Sequence, residues 1–333
     1  LHSERADGVA SLSDLPPLSP KAESEEWRPD PEKGSPTTLF GPDLAESGDV
    51  APANLVRKPS LTEQALRIAQ LPPPLPTSSD EGASKLEEAI QTQYEIIEAK
   101  LERGREDEAK REFLQLATDF PDSSFAPRAL CQAWKLEKSD IRKRIEGFVR
   151  IVEEYPFSPQ ATESLLEIGD SRLHLGDHEG AVDAFRAYQI RQGEGHNHPR
   201  LRVKIAQSLL SLRRHEEALR EVDRLIAEHP ESRDADRWLD LRSECQMALE
   251  RFPEAVITLR ELLHQYPNYA LRPKVMLAMG LCYEAMGQAD AAKKAYLLIG
   301  QNYPPNRDDT PFETLAAVQR LQQLSQPLFA PTP

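Results

Sequence analysis

One recurring pair constrains this sequence more than any other feature: an aromatic residue or histidine followed by proline, at Phe120-Pro121, Tyr155-Pro156, His229-Pro230, Tyr266-Pro267 and Tyr303-Pro304. The prolines stand 35, 74, 37 and 37 residues apart, and 74 is twice 37, so one copy has lost its proline, at Gly193. A second row keeps the same phase. Alanine lies twelve residues before proline at Ala109, Ala218, Ala255 and Ala292, and Ala181 lies twelve before Gly193; only Arg144 breaks the row. Gly104, Gly176 and Gly287 sit five residues before that alanine, and Phe113, Phe148, Phe185 and Tyr296 sit four after it. Each unit therefore predicts one helical hairpin. The glycine supplies a positive φ at the end of the first helix, and the proline ends the second because its ring cannot continue the hydrogen-bond ladder. Small residues at Gly169, Ala206, Ser243 and Gly280 let the two helices approach closely at one crossing point.

The spacing predicts six hairpins, roughly 86–121, 124–156, 159–193, 196–230, 233–267 and 270–304. Residues 311–326 predict one more amphipathic helix, with Phe312, Leu315, Val318 and Leu321 or Gln322 on its buried face. A final helix covering the last hairpin is what stacked repeats require for solubility. This pattern resembles the tetratricopeptide repeat family, matched best by Met276, Met279-Gly280, Tyr283, Ala292, Tyr296 and Pro304. The departures are the missing Trp in most copies, a poor second copy and a 37-residue period. The expected fold class is all-α: a right-handed α-solenoid of about six such hairpins with a C-terminal capping helix, preceded by a long disordered Pro-rich arm.

Thirteen of the 28 prolines fall before Lys85, and residues 1–84 are rich in Ser, Asp and Glu with little apolar periodicity. Such a composition buries too little surface to offset the entropy of ordering. The expected division is an arm over 1–84, the solenoid over 85–326 and a tail over 327–333. One island in the arm stands out. Ser60-Leu61-Thr62-Glu63 has the capping-box form and opens an amphipathic stretch to Leu71, with Leu61, Ala65, Ile68 and Ala69 sharing a face. So short a helix is either transient or docked. Arg57-Lys58-Pro59-Ser60 also resembles a basophilic kinase site.

Nothing in the sequence has the form of a catalytic motif: there is no phosphate-binding Gly-rich loop, no Gly-x-Ser-x-Gly elbow and no His-Glu-x-x-His helix. The expectation is no enzyme, no cofactor and no metal. His174 and His178 flank the helix-ending Gly176, and no further ligand joins His196 and His198 at suitable spacing. Cys245 and Cys282 occupy one repeat position on adjacent hairpins, about 8–10 Å apart, too far for a disulfide and expected in the core. The formal charge of -14 argues against broad nucleic-acid binding, and no apolar run approaches the length of an integral membrane segment.

The family resemblance implies that the second, fifth, ninth, twelfth and thirteenth residues of each repeat face an inner groove. The twelfth position reads Leu101, Leu136, Leu173, Leu210, Met247 and Glu284; the fifth reads Tyr94, Ala129, Leu166, Val203, Asp240 and Leu277. Ten of these twelve are apolar although Leu165, Ile168 and Leu175 already fill core positions in the third repeat. The surplus row is either a binding surface or packing inside a tight superhelix. Tyr94, Leu101, Leu136, Leu166, Leu173, Val203, Leu210, Met247 and Leu277 are the candidate partner-binding residues. Arg200, Lys204, Arg213 and Arg214, with Lys138, Arg142, Lys143 and Arg144, are placed either to steer an acidic partner or as a solvated face.

Hairpins ending in Tyr-Pro or Phe-Pro resemble bacterial cell-envelope members of the family, which dock proteins without catalysis. That style implies a periplasmic or envelope scaffold, with a cytoplasmic location as the alternative. The start, Leu1-His2-Ser3-Glu4-Arg5, is expected either of a truncated chain or of one whose leader has been removed, and no Cys near it supports a lipid anchor. Three functions follow. The first is a non-enzymatic scaffold, a subunit of a hetero-complex, that holds an unidentified protein or peptide in its groove and tethers another through the arm. The second is a subunit or regulator of an enzyme complex whose groove is plugged by its own residues 60–71. The third makes the arm the working part and the repeats a dimerisation module.

Overall fold

The computed structural model describes residues 59–71, 81–193, 198–305 and 310–325, and among these residues there are fourteen α-helices and no strand. The fold class is the all-α solenoid. Contacts divide the chain into two compact units that meet in sequence at Arg213 and Arg214. The first unit contains α1 (Leu61–Ala69), α2 (Glu81–Glu102), α3 (Glu106–Asp119), α4 (Ala126–Lys135), α5 (Ile141–Glu154), α6 (Pro159–His174), α7 (His178–Gln192) and α8 (Pro199–Ser211). The second contains α9 (His215–Glu228), α10 (Ala235–Ala248), α11 (Phe252–Gln265), α12 (Arg272–Ala285), α13 (Ala289–Asn302) and α14 (Phe312–Ser325). From α2 to α8, and again from α9 to α14, each helix packs on the next. Residues 1–58, on which the expectation of a disordered arm mostly falls, lie outside the described residues; α2 begins at Glu81, ahead of the expected boundary at Lys85.

The helix ends follow the repeat. Helices α7, α9, α11 and α13 start at 178, 215, 252 and 289, which are 37 residues apart. Phe120, Tyr155, His229, Tyr266 and Tyr303 cap their helices with φ between -134° and -123° and ψ between 53° and 74°. The following proline's ring crowds the residue before it out of the helical region, so one dipeptide repeats one exit geometry. Where the proline is missing, Gly193 ends α7 with a φ of 76°.

Gly104, Gly176 and Gly287 all take positive φ, as do Arg213 and Glu250 at the same repeat position. A β-carbon costs about 1–2 kcal/mol there. Gly176→Ala is accordingly expected to lower stability by about 1 kcal/mol in urea titration. No neighbouring atom lies within 4 Å of the added methyl, so any loss reports backbone strain alone.

The second hairpin lacks this glycine and makes its turn differently. Glu137, buried between α4 and α5, accepts hydrogen bonds from the backbone N–H groups of Ser139 at 3.0 Å and Asp140 at 3.1 Å, from the Ser139 hydroxyl, and from Lys110 of α3. Asp140 then caps α5 by accepting from the N–H groups of Arg142 and Lys143. Arg144, at the position alanine holds elsewhere, pairs with Glu167 and lies 5.8 Å from the Phe148 ring centre.

Cores are built from the predicted rows. Ala109, Ala181, Ala218, Ala255 and Ala292 are buried, as are Phe113, Phe148, Phe185 and Tyr296. A methyl at Gly169 would lie 2.2 Å from the Phe185 ring, and one at Gly280 would lie 2.2 Å from the Tyr296 ring, so glycine is required where each helix crosses its partner's aromatic residue. In the second unit Leu259, Leu262, Val275, Met279, Tyr283 and Ala317 belong to one continuous apolar cluster. Two expectations fail. Leu175 is 44% exposed rather than core, because it lies in the turn after α6 has ended. On α14 the buried residues are Thr314 and Ala317, whereas Phe312 is 77% exposed and Leu315 is exposed too. The helix is rotated so that the row through Thr314, Ala317, Leu321 and Leu324 packs on the core.

Candidate functional site

In the second unit a groove of about 410 Å³ runs between α10, α12 and α14. Its apolar lining includes Met247, Leu277, Ala278, Leu281, Phe312 and Ala316. Polar groups stand along its edges. Lys274 reaches Asp240 at 3.0 Å and Glu244 at 2.5 Å, and the Tyr269 hydroxyl donates to Asp240 at 3.1 Å. The lysine is thereby held between two carboxylates, where their attraction outweighs the cost of burial and its pKa lies above the ordinary value. Glu284 accepts from the Tyr296 hydroxyl at 2.6 Å and lies 3.6 Å from Arg320. Asp240 and Glu284, the two polar members of the predicted rows, are thus tied to the wall, and the floor between them stays apolar.

Met247 and Leu277 of the candidate residues line this groove. In the first unit Leu101, Leu136, Leu166, Leu173, Val203 and Leu210 are all half-buried, each keeping part of its surface in solvent. Tyr94 differs. It is buried, with its ring centre 5.3 Å from that of Phe113 and 5.5 Å from that of Phe125, so it packs between hairpins; Ala129 is buried as well. Leu281 is a ninth-position residue, a position the family pattern points inward, while Phe312 and Ala316 come from a helix with no repeat partner to set their phase.

Four of the eight basic residues flanking the rows pair with acids of this chain. Lys204 pairs with Asp170, Lys138 with Glu106, Arg144 with Glu167 and Arg214 with Glu217, while Arg142, Lys143 and Arg200 are exposed. Pairs at or near the surface contribute little to stability but neutralise charge that would otherwise be available for steering.

Segment 60–69 forms a helix with its capping box complete, and this helix, α1, packs on α7. Asp183 of α7 accepts from the N–H of Leu61 at 2.8 Å and of Thr62 at 3.0 Å, and the Thr62 hydroxyl donates to the Asp183 carbonyl at 3.0 Å. Burial alone would raise the Asp183 pKa, but hydrogen bonds from Ser60, Leu61 and Thr62 hold it below the ordinary value. Leu61 and Ala65 are buried; Ala69, expected on the same face, is exposed with Leu66 and Leu71. Because α7 is the second helix of its hairpin, α1 does not plug the row carried by the first helices. That corrects the expectation of an intramolecular plug.

Cys131, Cys245 and Cys282 are buried free thiols, and burial pushes Cys131 and Cys245 up to about 12, far from a reactive thiolate. Among the described residues no three His, Cys, Asp or Glu side chains cluster to hold a metal ion, and no helix is long and apolar enough to cross a membrane.

Tandem helical hairpins, most of them on a 37-residue period, with a small residue such as Gly169, Ala206, Ser243 or Gly280 at the close crossing, define a helical-repeat protein. Tetratricopeptide repeat models match residues 148–196 and 203–270, and a second set matches 91–123 and 274–306, together more than half of the chain. The chain belongs to the tetratricopeptide repeat family. No curated protein matches the sequence. Among solved structures it is similar to YrrB, a TPR protein with an unusual peptide-binding site, with 13% identity and a TM-score of 0.47 over 62% of this chain and 97% of that one. It is also similar to MamA from Desulfovibrio magneticus RS-1, with 16% identity and a TM-score of 0.41 over 62% and 98%. A putative kinesin light chain from Podosopora anserina shows 14% identity and a TM-score of 0.43 over 54% and 95%.

Proposed function

We propose that the chain is a non-enzymatic interaction scaffold that holds a protein or peptide segment against the first helices of its hairpins. The observation that carries this is the groove lined by Met247, Leu277, Ala278 and Leu281, whose apolar floor is left open while Lys274, Asp240, Glu244 and Arg320 beside it are already paired. Family membership supports the same general role. The floor suits an extended segment with apolar side chains, and the paired carboxylates leave no strong field to demand a charged one. Membership of a hetero-complex, an envelope location and tethering of a further partner through residues 1–58 are parts of this proposal that extend beyond the groove.

A peptide selected from a random library against the full chain provides the test. Its affinity for Leu277→Glu combined with Leu281→Glu is expected to fall at least tenfold, since each apolar side chain buried by a ligand contributes about 1.5–3 kcal/mol. The helical signal should persist, as both positions are only half-buried. Unchanged affinity in the folded double variant would place binding elsewhere.

A further inference from the structure

The second helices of the hairpins share a register, so their outward faces can be compared position by position. Two residues after the alanine row stand Arg111, Glu146, Arg220, Ile257 and Lys294, all exposed; in α7 the residue there is Asp183, half-buried beneath α1. Six residues after that row stand Gln115, Arg150, Arg224 and Glu261, again exposed, and Leu298, which is buried. In α7 this position is Ala187, with 0% exposure. On α7, which carries α1, these two positions hold Asp183 and Ala187 where the other hairpins hold larger side chains.

We propose that the outward face of α7 is a helix-binding site separate from the groove. Its ligand is an amphipathic helix of the Ser-Leu-Thr-x-x-Ala type, supplied in cis by residues 60–69 and exchangeable for the same pattern on a partner protein. Three features fit this ligand. Asp183 places a carboxylate at the helix N-terminus, where unpaired N–H groups and the positive end of the helix dipole both favour an anion. Ala65 sits one turn beyond Leu61, and both are buried in the contact. Ala187 leaves room where arginine or glutamate would project.

The contact is also suited to exchange. A helix of nine residues is unstable alone in water, so α1 exists by virtue of α7 and is lost when it leaves. Tethering gives it an effective concentration in the millimolar range for a short linker, which an untethered competitor must overcome by tighter binding.

The experiment uses the full chain and a fluorescent peptide of residues 57–71. Leu61→Asp with Ala65→Glu detaches α1 and leaves the α7 face untouched. The peptide is expected to bind this variant at least tenfold more tightly than the unaltered chain, where the cis helix competes. Adding Ala187→Arg should abolish binding while preserving the melt, because Arg150 and Arg224 occupy that position harmlessly in other hairpins. Adding Asp183→Asn in its place should weaken binding about tenfold with no change of side-chain size. Failure of the peptide to bind the detached variant, or binding that neither α7 substitution weakens, overturns the proposal. Concentration-dependent dimers of the unaltered chain that vanish in the detached variant overturn the cis arrangement and assign the seat to a second copy.

Discussion

Replacing Gly280 by leucine is expected to lower stability by on the order of 3 kcal/mol, the upper part of the range for forcing extra carbons into a packed site. The first carbon added would already lie 2.2 Å from the Tyr296 ring. That ring has no free direction to move: Tyr296 is buried, and its hydroxyl is tied to Glu284. Helices α12 and α13 must separate, and in a repeat array the loss spreads to the neighbours that lean on them. Gly300 provides the control. It lies in α13 with no atom within 4 Å of an added methyl, so Gly300→Ala is expected to raise stability by up to about 1 kcal/mol through helix propensity. Urea denaturation followed by circular dichroism measures both. Equal effects of the two substitutions would show that Gly280 is not a close-approach glycine.

Glu137→Gln is expected to lower stability at pH 7 by about 2 kcal/mol, allowing for solvent screening of a turn near the surface. Lys110, the Ser139 hydroxyl and the N–H groups of Ser139 and Asp140 all donate to this carboxylate and draw its pKa down to about 2. Because the folded value lies below the unfolded one of 4.5, the contribution is full above pH 4.5 and disappears as pH falls toward 2. The amide variant keeps an acceptor oxygen but loses the charge. Its stability should therefore vary less than that of the unaltered chain across this acid range. Parallel pH profiles for the two proteins would remove the carboxylate from the account of the second hairpin.

The period alone determined most of the fold. At a fixed phase of the repeat, proline ends a helix, glycine permits a positive φ and alanine permits close approach, so helix ends near Pro121, Pro156, Pro230, Pro267 and Pro304 and turns at Gly104, Gly176 and Gly287 were readable from residue type and spacing. Met247 and Leu277 were expected at groove positions only through the family resemblance, which says which repeat positions face inward. What the pattern could not supply were the features lying outside the repeat or crossing between elements. The rotation of α14 depends on which of its two apolar stripes fits the last hairpin, and both stripes have helical spacing. Glu137 replaces a missing glycine with hydrogen bonds from three residues, one of them on another helix. Tyr94 shares a repeat position with groove residues but meets Phe113 and Phe125 in space. The seat of α1 on α7 joins Leu61 and Thr62 to Asp183 across about 120 residues, and only tertiary packing brings a helix N-terminus to that carboxylate. Local conformational preference acts over a few residues and is written in the sequence; the pairing of faces depends on complementary shape and charge between distant segments, which becomes definite only when the chain is folded.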